Sequence, residues 1–318
     1  MEVSRPPVAP GPGPAALPRV PPPLAAPRPA LPERLRRGWR RHWLDVALVV
    51  PLAAYILGFT LLPVLQSIAL GFTARFGGAF PTLANYEDLF ARPDFGLAVL
   101  NTVGITLIGV ALELVVGLAI ALMLARAFPL RGLFRTLVLV PMGVPTLVAG
   151  AAMLYIVGVN GYLNELLFRL GLIDAPIYWP QSGPKGMFVI ALADMWKTTP
   201  IVVLILLAGL EAIPRDVYEA ASVDGASAWR QFRDHTLPLL MPAITMAVIL
   251  RAIDAFRIFD IALVLAGRSV PVMSTFVYFE YFFGNLNTAA GAATVLLLMI
   301  VVFVAGYFWL VERRREAV

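Results

Sequence analysis

Residues 218–242 read YEAASVDGASAWRQFRDHTLPLLMP, from Tyr218 to Pro242. This polar island lies between two long apolar segments, roughly 187–210 and 240–265. Pro214 suits the first turn of a helix, and Asp216 and Glu219 put negative charge at its positive end. Ala220, Ala221 and Ser222 are small enough to let another surface approach closely. Gly225 supplies a break. Trp229, Phe232 and the pair Leu237-Pro238 then lead back towards the apolar run, with Arg230 and Arg233 near the end of a second helix. The competing reading is an ordinary amphipathic connector lying on a membrane surface. A chain this apolar should not keep a compact, charged helix–turn–helix unless something outside the membrane grips it.

Hydrophobic residues make up 59% of the 318, charged residues 14%, and the mean hydropathy is +0.81. A soluble domain carries roughly 25% charged residues, so the chain reads as a membrane protein. Cysteine is absent, which removes disulfides, thiol nucleophiles and thiolate metal sites. Only His42 and His235 could supply imidazole, and neither lies near a ligand cluster, so no zinc site is expected. The net charge of +5 does not indicate nucleic acid, because the arginines flank apolar segments instead of interleaving with aromatics.

Residues 1–33 hold 12 prolines and cannot bury apolar surface, so a disordered or polyproline-like tail is expected there. A basic juxtamembrane segment follows at 34–45, with Arg34, Arg36, Arg37, Arg40 and Arg41. The next apolar run is too long for a signal-peptide core and reads as an uncleaved first span. A bilayer needs about 20 apolar helical residues. Six segments qualify, at about 46–70, 99–125, 136–158, 187–210, 240–265 and 290–311. Pro51, Pro63, Pro141, Pro145 and Pro200 inside them imply kinks. The fold class expected is therefore all-α, a polytopic membrane protein with six transmembrane helices over 46–318. With the N-terminus inside, fourteen arginines and no lysine in the flanking segments 34–41, 126–135, 211–239 and 313–315 fall on the cytoplasmic side. The opposite side carries Arg75, Arg92, Arg169, Lys185 and Arg268. That asymmetry places both termini and the 211–239 loop in the cytoplasm. Residues 161–172 alternate at helical spacing and suggest a short interfacial helix, and 71–98 suggest an irregular external segment.

Glu219-Ala220-Ala221, three residues, Gly225 and then Leu237-Pro238 resemble the signature loop of permease subunits in binding-protein-dependent ABC importers. Further motifs are similar to sugar permeases of the MalF/UgpA type, across roughly 45–312. They are LANYEDLF with Asn85 and Tyr86, Asn101-Thr102, LRGLFR at 130–135, the Pro141 and Pro145 pair, GYLN at 161–164, Trp196 to Pro200, and Asp224-Gly225-Ala226. Two places depart from that family. His235 stands where an apolar residue is usual, and LAGRSVP at 265–271 replaces a Gly-Gly-Pro turn. The resemblance implies a type I importer fold in a bacterial inner membrane. It implies a second permease subunit as heterodimer partner, two ATPase subunits and an extracytoplasmic solute-binding protein. It assigns ATPase coupling to Glu219, Ala220, Ala221, Asp224, Gly225, Leu237 and Pro238. No cofactor is expected in this chain, with ATP and magnesium held by the partner ATPases.

The span 240–265 contains Arg251, Asp254, Arg257 and Asp260, each three residues from the next. Opposite signs at that spacing can pair along one helix. A charge at mid-membrane costs about 2.5–3.5 kcal/mol on insertion scales, so these must pair or face a wet interior. One reading is a structural ladder, the other the lining of a polar path. The preceding span offers Asp194, Trp196, Lys197, Thr198 and Thr199 before Pro200. Carbohydrates need planar hydrogen-bonding groups and an aromatic face, and this set has both. Trp196 reads equally well as an interfacial aromatic. Related sugar permeases pass solute between these two helices, which makes Asp194, Trp196, Thr198, Asp254, Arg257 and Asp260 the expected substrate path. Glu113 is a lone acid in the 99–125 span that needs a partner, with Arg251 or Arg257 the candidates.

No G-x-x-x-x-G-K-[ST] occurs and no catalytic constellation appears, so the chain itself is not expected to be an enzyme. The leading expectation is an ATP-driven importer permease for a disaccharide, sugar glycoside or glycerol-phosphate-like solute. The alternative is a stand-alone ion-coupled carrier that uses the Asp254/Arg257/Asp260 ladder as its relay.

Overall fold

A computed structural model describes residues 31–181 and 183–316. The expectation of a proline-rich tail falls almost wholly on residues outside that range. Among the described residues there is no strand, and six helical stretches are long and apolar enough to cross a membrane. The chain divides into two units, 1–60 and 61–318.

In the first unit α1 runs Leu31–Ile56, so helix begins ahead of the basic 34–45 segment. Pro32 is tolerated there because an opening turn has no intrahelical partner for its missing N–H. Pro51 lies inside α1, and a π-turn follows at Leu57–Leu61. Tyr55 stacks on Phe59 at 5.1 Å.

The second unit continues with α2 (Leu62–Gly71), a short helix α3 (Ala84–Ala91) and the long α4 (Pro93–Ala125). The segment 71–98 is thus less irregular than its composition suggests, since α3 and the start of α4 lie within it. Then come α5 (Arg131–Gly143), α6 (Thr146–Val157), α7 (Tyr162–Arg169) and α8 (Pro184–Glu211). The connector holds α9 (Arg215–Val223) and α10 (Ala228–Gln231). After it run α11 (Leu237–Phe256), α12 (Asp260–Ala266), α13 (Met273–Phe282) and α14 (Leu286–Glu316).

Lipid supplies no hydrophobic drive between spans, so close packing through small residues must do it. Along α4, Gly109 faces Ala191 and Gly117 faces Val202 of α8. Both positions advance together, so α4 and α8 lie parallel. Gly209 of α8 faces Leu240 and Ala243 at the start of α11, while Asp194 meets Arg251 near its end, so α11 runs antiparallel to α8. Gly150 of α6 seats Ile261 and Val264 of α12, and Gly71 at the end of α2 approaches Gly291 of α14.

Two of the expected spans are not single helices. The third divides at Val144-Pro145 into α5 and α6. Pro145 has no N–H to continue the ladder, and the carbonyl of Val144 instead accepts from Lys197 Nζ at 2.8 Å. The fifth ends at Phe256, not 265. The chain tightens through Arg257 N–H to Asp254 O (3.0 Å) and Ile258 N–H to Ala255 O (3.1 Å), then restarts at Asp260. The freed Ile258 carbonyl accepts from the Ser274 hydroxyl. An acid at Asp260 suits the new helix N-terminus. Pro200, by contrast, does not interrupt α8.

Several motif asparagines and threonines bind backbone. Asn85 Nδ2 donates to Gly71 and Thr73 carbonyls at 2.9 and 2.8 Å. Asn101 donates to Pro271 O, and Thr102 Oγ1 accepts from Met273 N–H, both at 2.8 Å. Asn164 donates to three carbonyls while its oxygen accepts from Ile177 N–H and Trp179 Nε1. They satisfy the irregular segments between spans, which a bilayer could not.

A Cβ built on Gly117 would lie 2.8 Å from Val202 Cγ1, whereas one on Gly109 meets nothing closer than 4.0 Å. Gly117→Ala is therefore expected to cost about 1–3 kcal/mol through overpacking. Gly109→Ala should be neutral or stabilise by up to about 1 kcal/mol. Thermal unfolding of the two variants in detergent tests this, and equal melting points would contradict the α4–α8 contact.

Candidate functional site

The connector is a tied pair of helical legs. Pro214 caps α9 in extended backbone instead of entering its first turn, and Asp216 is the acid in that turn. Glu219 lies further along, on the exposed face. At the C-terminus Gly225 takes φ +73°. Its N–H bonds Ser222 O at 3.1 Å while Ala226 N–H bonds Ala221 O at 2.9 Å. This is the Schellman arrangement, and it explains a glycine here. Ser227 Oγ then accepts from Arg230 N–H to open α10.

The second leg does not end before the membrane. From Ala228 the helix passes through a π-turn at Phe232–Thr236 directly into α11, with Pro238 in the first turn of α11. Arg230 and Arg233 therefore sit in the first two turns of a continuing column and not at the end of a second helix. The legs are joined by Gln231 Nε2, which donates to Ser222 Oγ and Ala226 O at 3.1 Å each. A second tie is Tyr218 Oη with Thr236 Oγ1 at 3.1 Å. Ala221 is buried between them. Glu219, Ala220, Asp224 and Gly225 are exposed, as is Pro238, and Leu237 is half-buried. Val223 (88% exposed) and Trp229 (68%) present apolar surface on this polar knob. His235 is half-buried in the π-turn.

A second constellation lies inside the spans. Arg251 of α11 is 2% exposed and Glu113 of α4 1%. They pair in bidentate fashion, Nε to Oε2 at 2.7 Å and Nη2 to Oε1 at 2.9 Å. The same Nη2 reaches Asp194 Oδ2 of α8 at 3.0 Å, and Nη1 lies 3.4 Å from Asp254 Oδ2. Asp254 is shared with Arg257 at 3.0 Å. The Thr198 hydroxyl lies 2.8 Å from Glu113 Oε1 and 2.6 Å from Asp194 O.

The structure thus brings Asp194, Thr198, Asp254 and Arg257 together, with Arg251 as the hub and Glu113 as its strongest partner. It leaves two expected path residues apart. Trp196 is exposed on α8, and Asp260, on the far side of the break, makes no ion pair with a described residue. The regular ladder is therefore interrupted after Arg257. Among the described residues no cluster of His, Asp and Glu could hold a metal ion.

One polar grouping was not singled out as a site. Between the end of α8 and the start of α5, Glu211 accepts from Arg131 at 2.6 Å and from Arg135. Three arginines within 126–135 and an acid closing an apolar run were the available signal.

Glu113→Ala should cost about 3–5 kcal/mol, because it leaves a buried guanidinium short of its bidentate partner. Arg257→Ala, at an exposed pair, should cost about 0–1 kcal/mol. Unfolding free energies measured by steric trapping in bicelles separate the two. Similar losses would show that burial does not set the strength of this network.

The chain is 39% identical over 234 residues to the trehalose/maltose transport system permease protein MalF of Thermococcus litoralis, covering 72% of this chain and 79% of the relative. It is 37% identical over 265 residues to the trehalose transport system permease protein SugA of Mycobacterium tuberculosis, covering 83% and 84%. A third relative, the sulfoquinovosyl glycerol transport system permease protein SmoG of Agrobacterium fabrum, is 35% identical over 250 residues, with 74% and 80% covered. In fold, the chain superposes on a bacterial ABC transporter involved in the import of the acidic polysaccharide alginate. The TM-score is 0.75 at 22% identity, covering 88% of this chain and 99% of that one. Residues 114–316, from the middle of α4 to the end of α14, match the family described as binding-protein-dependent transport system inner membrane component. The chain belongs to that family and is a multi-pass permease component of an ABC importer.

Proposed function

We propose that this permease forms half of the path for a carbohydrate or sugar-like solute, of the disaccharide, sugar glycoside or glycerol-phosphate class. A second permease subunit supplies the other half. ATP and magnesium belong to two separate ATPase subunits, and an extracytoplasmic binding protein delivers the solute. The relatives' named solutes (trehalose, maltose, sulfoquinovosyl glycerol) support the class. The arginine asymmetry of the loops supports a cytoplasmic position for both termini and for residues 211–239. The domain plan remains a tail over 1–33, a basic segment over 34–45 and a transmembrane domain over 46–318.

The observation that carries the coupling role is the rigid connector with apolar side chains on an otherwise polar tip. Val223 and Trp229 are exposed on the connector between the two apolar runs. Such surface is stable when a partner covers it. Glu219, Ala220, Ala221, Asp224 and Gly225 form the docking turn, and Leu237-Pro238 starts the helix it drives. For the path, Asp254 and Arg257 are the solvent-reaching members of the interior cluster, with side chains 41% and 61% exposed. They offer carboxylate and guanidinium groups to sugar hydroxyls at the broken end of α11. Asp194 and Thr198 set their background, while Trp196, on the exposed face of α8, and Asp260, past the break, would meet solute outside that cluster.

Gly225→Trp forces a bulky residue into left-handed backbone at about 1–2 kcal/mol and blocks the docking turn. Uptake in vesicles should fall by more than about tenfold, with the ATPase no longer co-purifying and the chain still in the membrane. Glu219→Lys should behave alike, and wild-type uptake in either would refute the docking role. Asp254→Ala should weaken solute stimulation of transport about tenfold while the ATPase still co-purifies. Loss of assembly instead would assign Asp254 to the structural network alone.

A further inference from the structure

Beside the connector, a cavity of about 590 Å³ opens where the spans end. Its walls include Arg126, Arg131, Arg215, Glu211, Tyr218 and Gln231. Arg126 directly follows α4 and Glu211 closes α8, so the cavity sits at the depth where an apolar span meets the headgroup layer. Glu211 is matched by both Arg131 and Arg135. Arg126 and Arg215 are exposed and make no ion pair with a described residue. The cavity therefore has positive charge in excess.

A second, apolar groove of about 250 Å³ adjoins it at Glu211. Leu124, Val138, Leu139, Leu204 and Leu207 line this groove. So does Arg135, whose Nε is buried without an acceptor among the described residues. A basic cavity joined to an apolar groove at the membrane boundary matches one kind of ligand. We propose that this paired site binds an anionic phospholipid. Its phosphate is held by Arg126, Arg131 and Arg215, its polar headgroup by Tyr218 and Gln231, and an acyl chain lies along the groove between α5 and α8. A zwitterionic lipid would add a cation where two guanidiniums are already unmatched. A free phosphate would leave the groove empty. The site touches α9 through Arg215 and Tyr218, so bound lipid braces the connector against the spans.

The test reconstitutes the full chain, with the subunits that co-purify, into phosphatidylcholine nanodiscs with and without phosphatidylglycerol. Native mass spectrometry then reads the lipid retained on release. Wild type should retain phosphatidylglycerol in preference. Arg126→Gln with Arg215→Gln, both exposed and so compatible with folding, should lower that preference by about thirtyfold. Ala208→Trp, which fills the groove, should lower retention of the lipid with both arginines intact. An unchanged preference in the double arginine variant would overturn the proposal. Undiminished retention in Ala208→Trp, or displacement of the lipid by inorganic phosphate, would overturn the lipid in favour of a free anion.

Discussion

A single guanidinium holds the interior of this molecule together. Arg251 is planar and permanently charged, and its N–H donors must all be answered in a place with no bulk water. It finds Glu113 on α4, Asp194 on α8 and Asp254 on its own helix. The arrangement works only because the helix axes are close. Gly117 and Gly209 remove the side chains that would otherwise hold α4, α8 and α11 apart. Ion pairing and small-residue packing are therefore one constraint: a bulkier contact would draw the carboxylates out of reach, and an absent carboxylate would leave charge in a medium that does not tolerate it.

The spans were legible because length and hydropathy decide membrane insertion locally. Of the helix breaks, Pro145 was marked as a kink, but the break after Phe256 was not. Charges three apart at 251, 254, 257 and 260 read the same whether the helix continues or stops. What decides is tertiary, the Ser274 hydroxyl taking the carbonyl that Ile258 frees. Lys197 likewise stabilises the break at Val144 from 53 residues away. In the connector, Gly225 was legible because a left-handed turn demands it. The fusion of the second leg to α11 was not, since Leu-Pro reads as a boundary and the π-turn ahead of Pro238 has no sequence mark.

The interior cluster shows the same division. Glu113 could be read as an acid in need of a base, because an unmatched carboxylate cannot rest in lipid. That Arg251 and not Arg257 would serve as the hub depends on helix rotation, which composition does not encode. Trp196 carried a sugar-like signature by residue type, yet its position on α8 turns it away from the charges. Residue chemistry narrowed the candidates, and the α4–α8–α11 contact chose among them.

The unbroken column from Ala228 to Phe256 has a mechanical consequence. Its 29 residues span about 43 Å at the helical rise. One end carries the exposed Trp229, and the other ends one turn beyond Arg251. Apart from the π-turn at Phe232–Thr236 and the prolines at 238 and 242, backbone hydrogen bonds run its length and carry a displacement that a loop would absorb. A rotation of about 5° at one end shifts the other by about 4 Å, more than the length of any ion pair at Arg251. This one helix thus joins the connector to the buried charges, and the column ends at the break after Phe256.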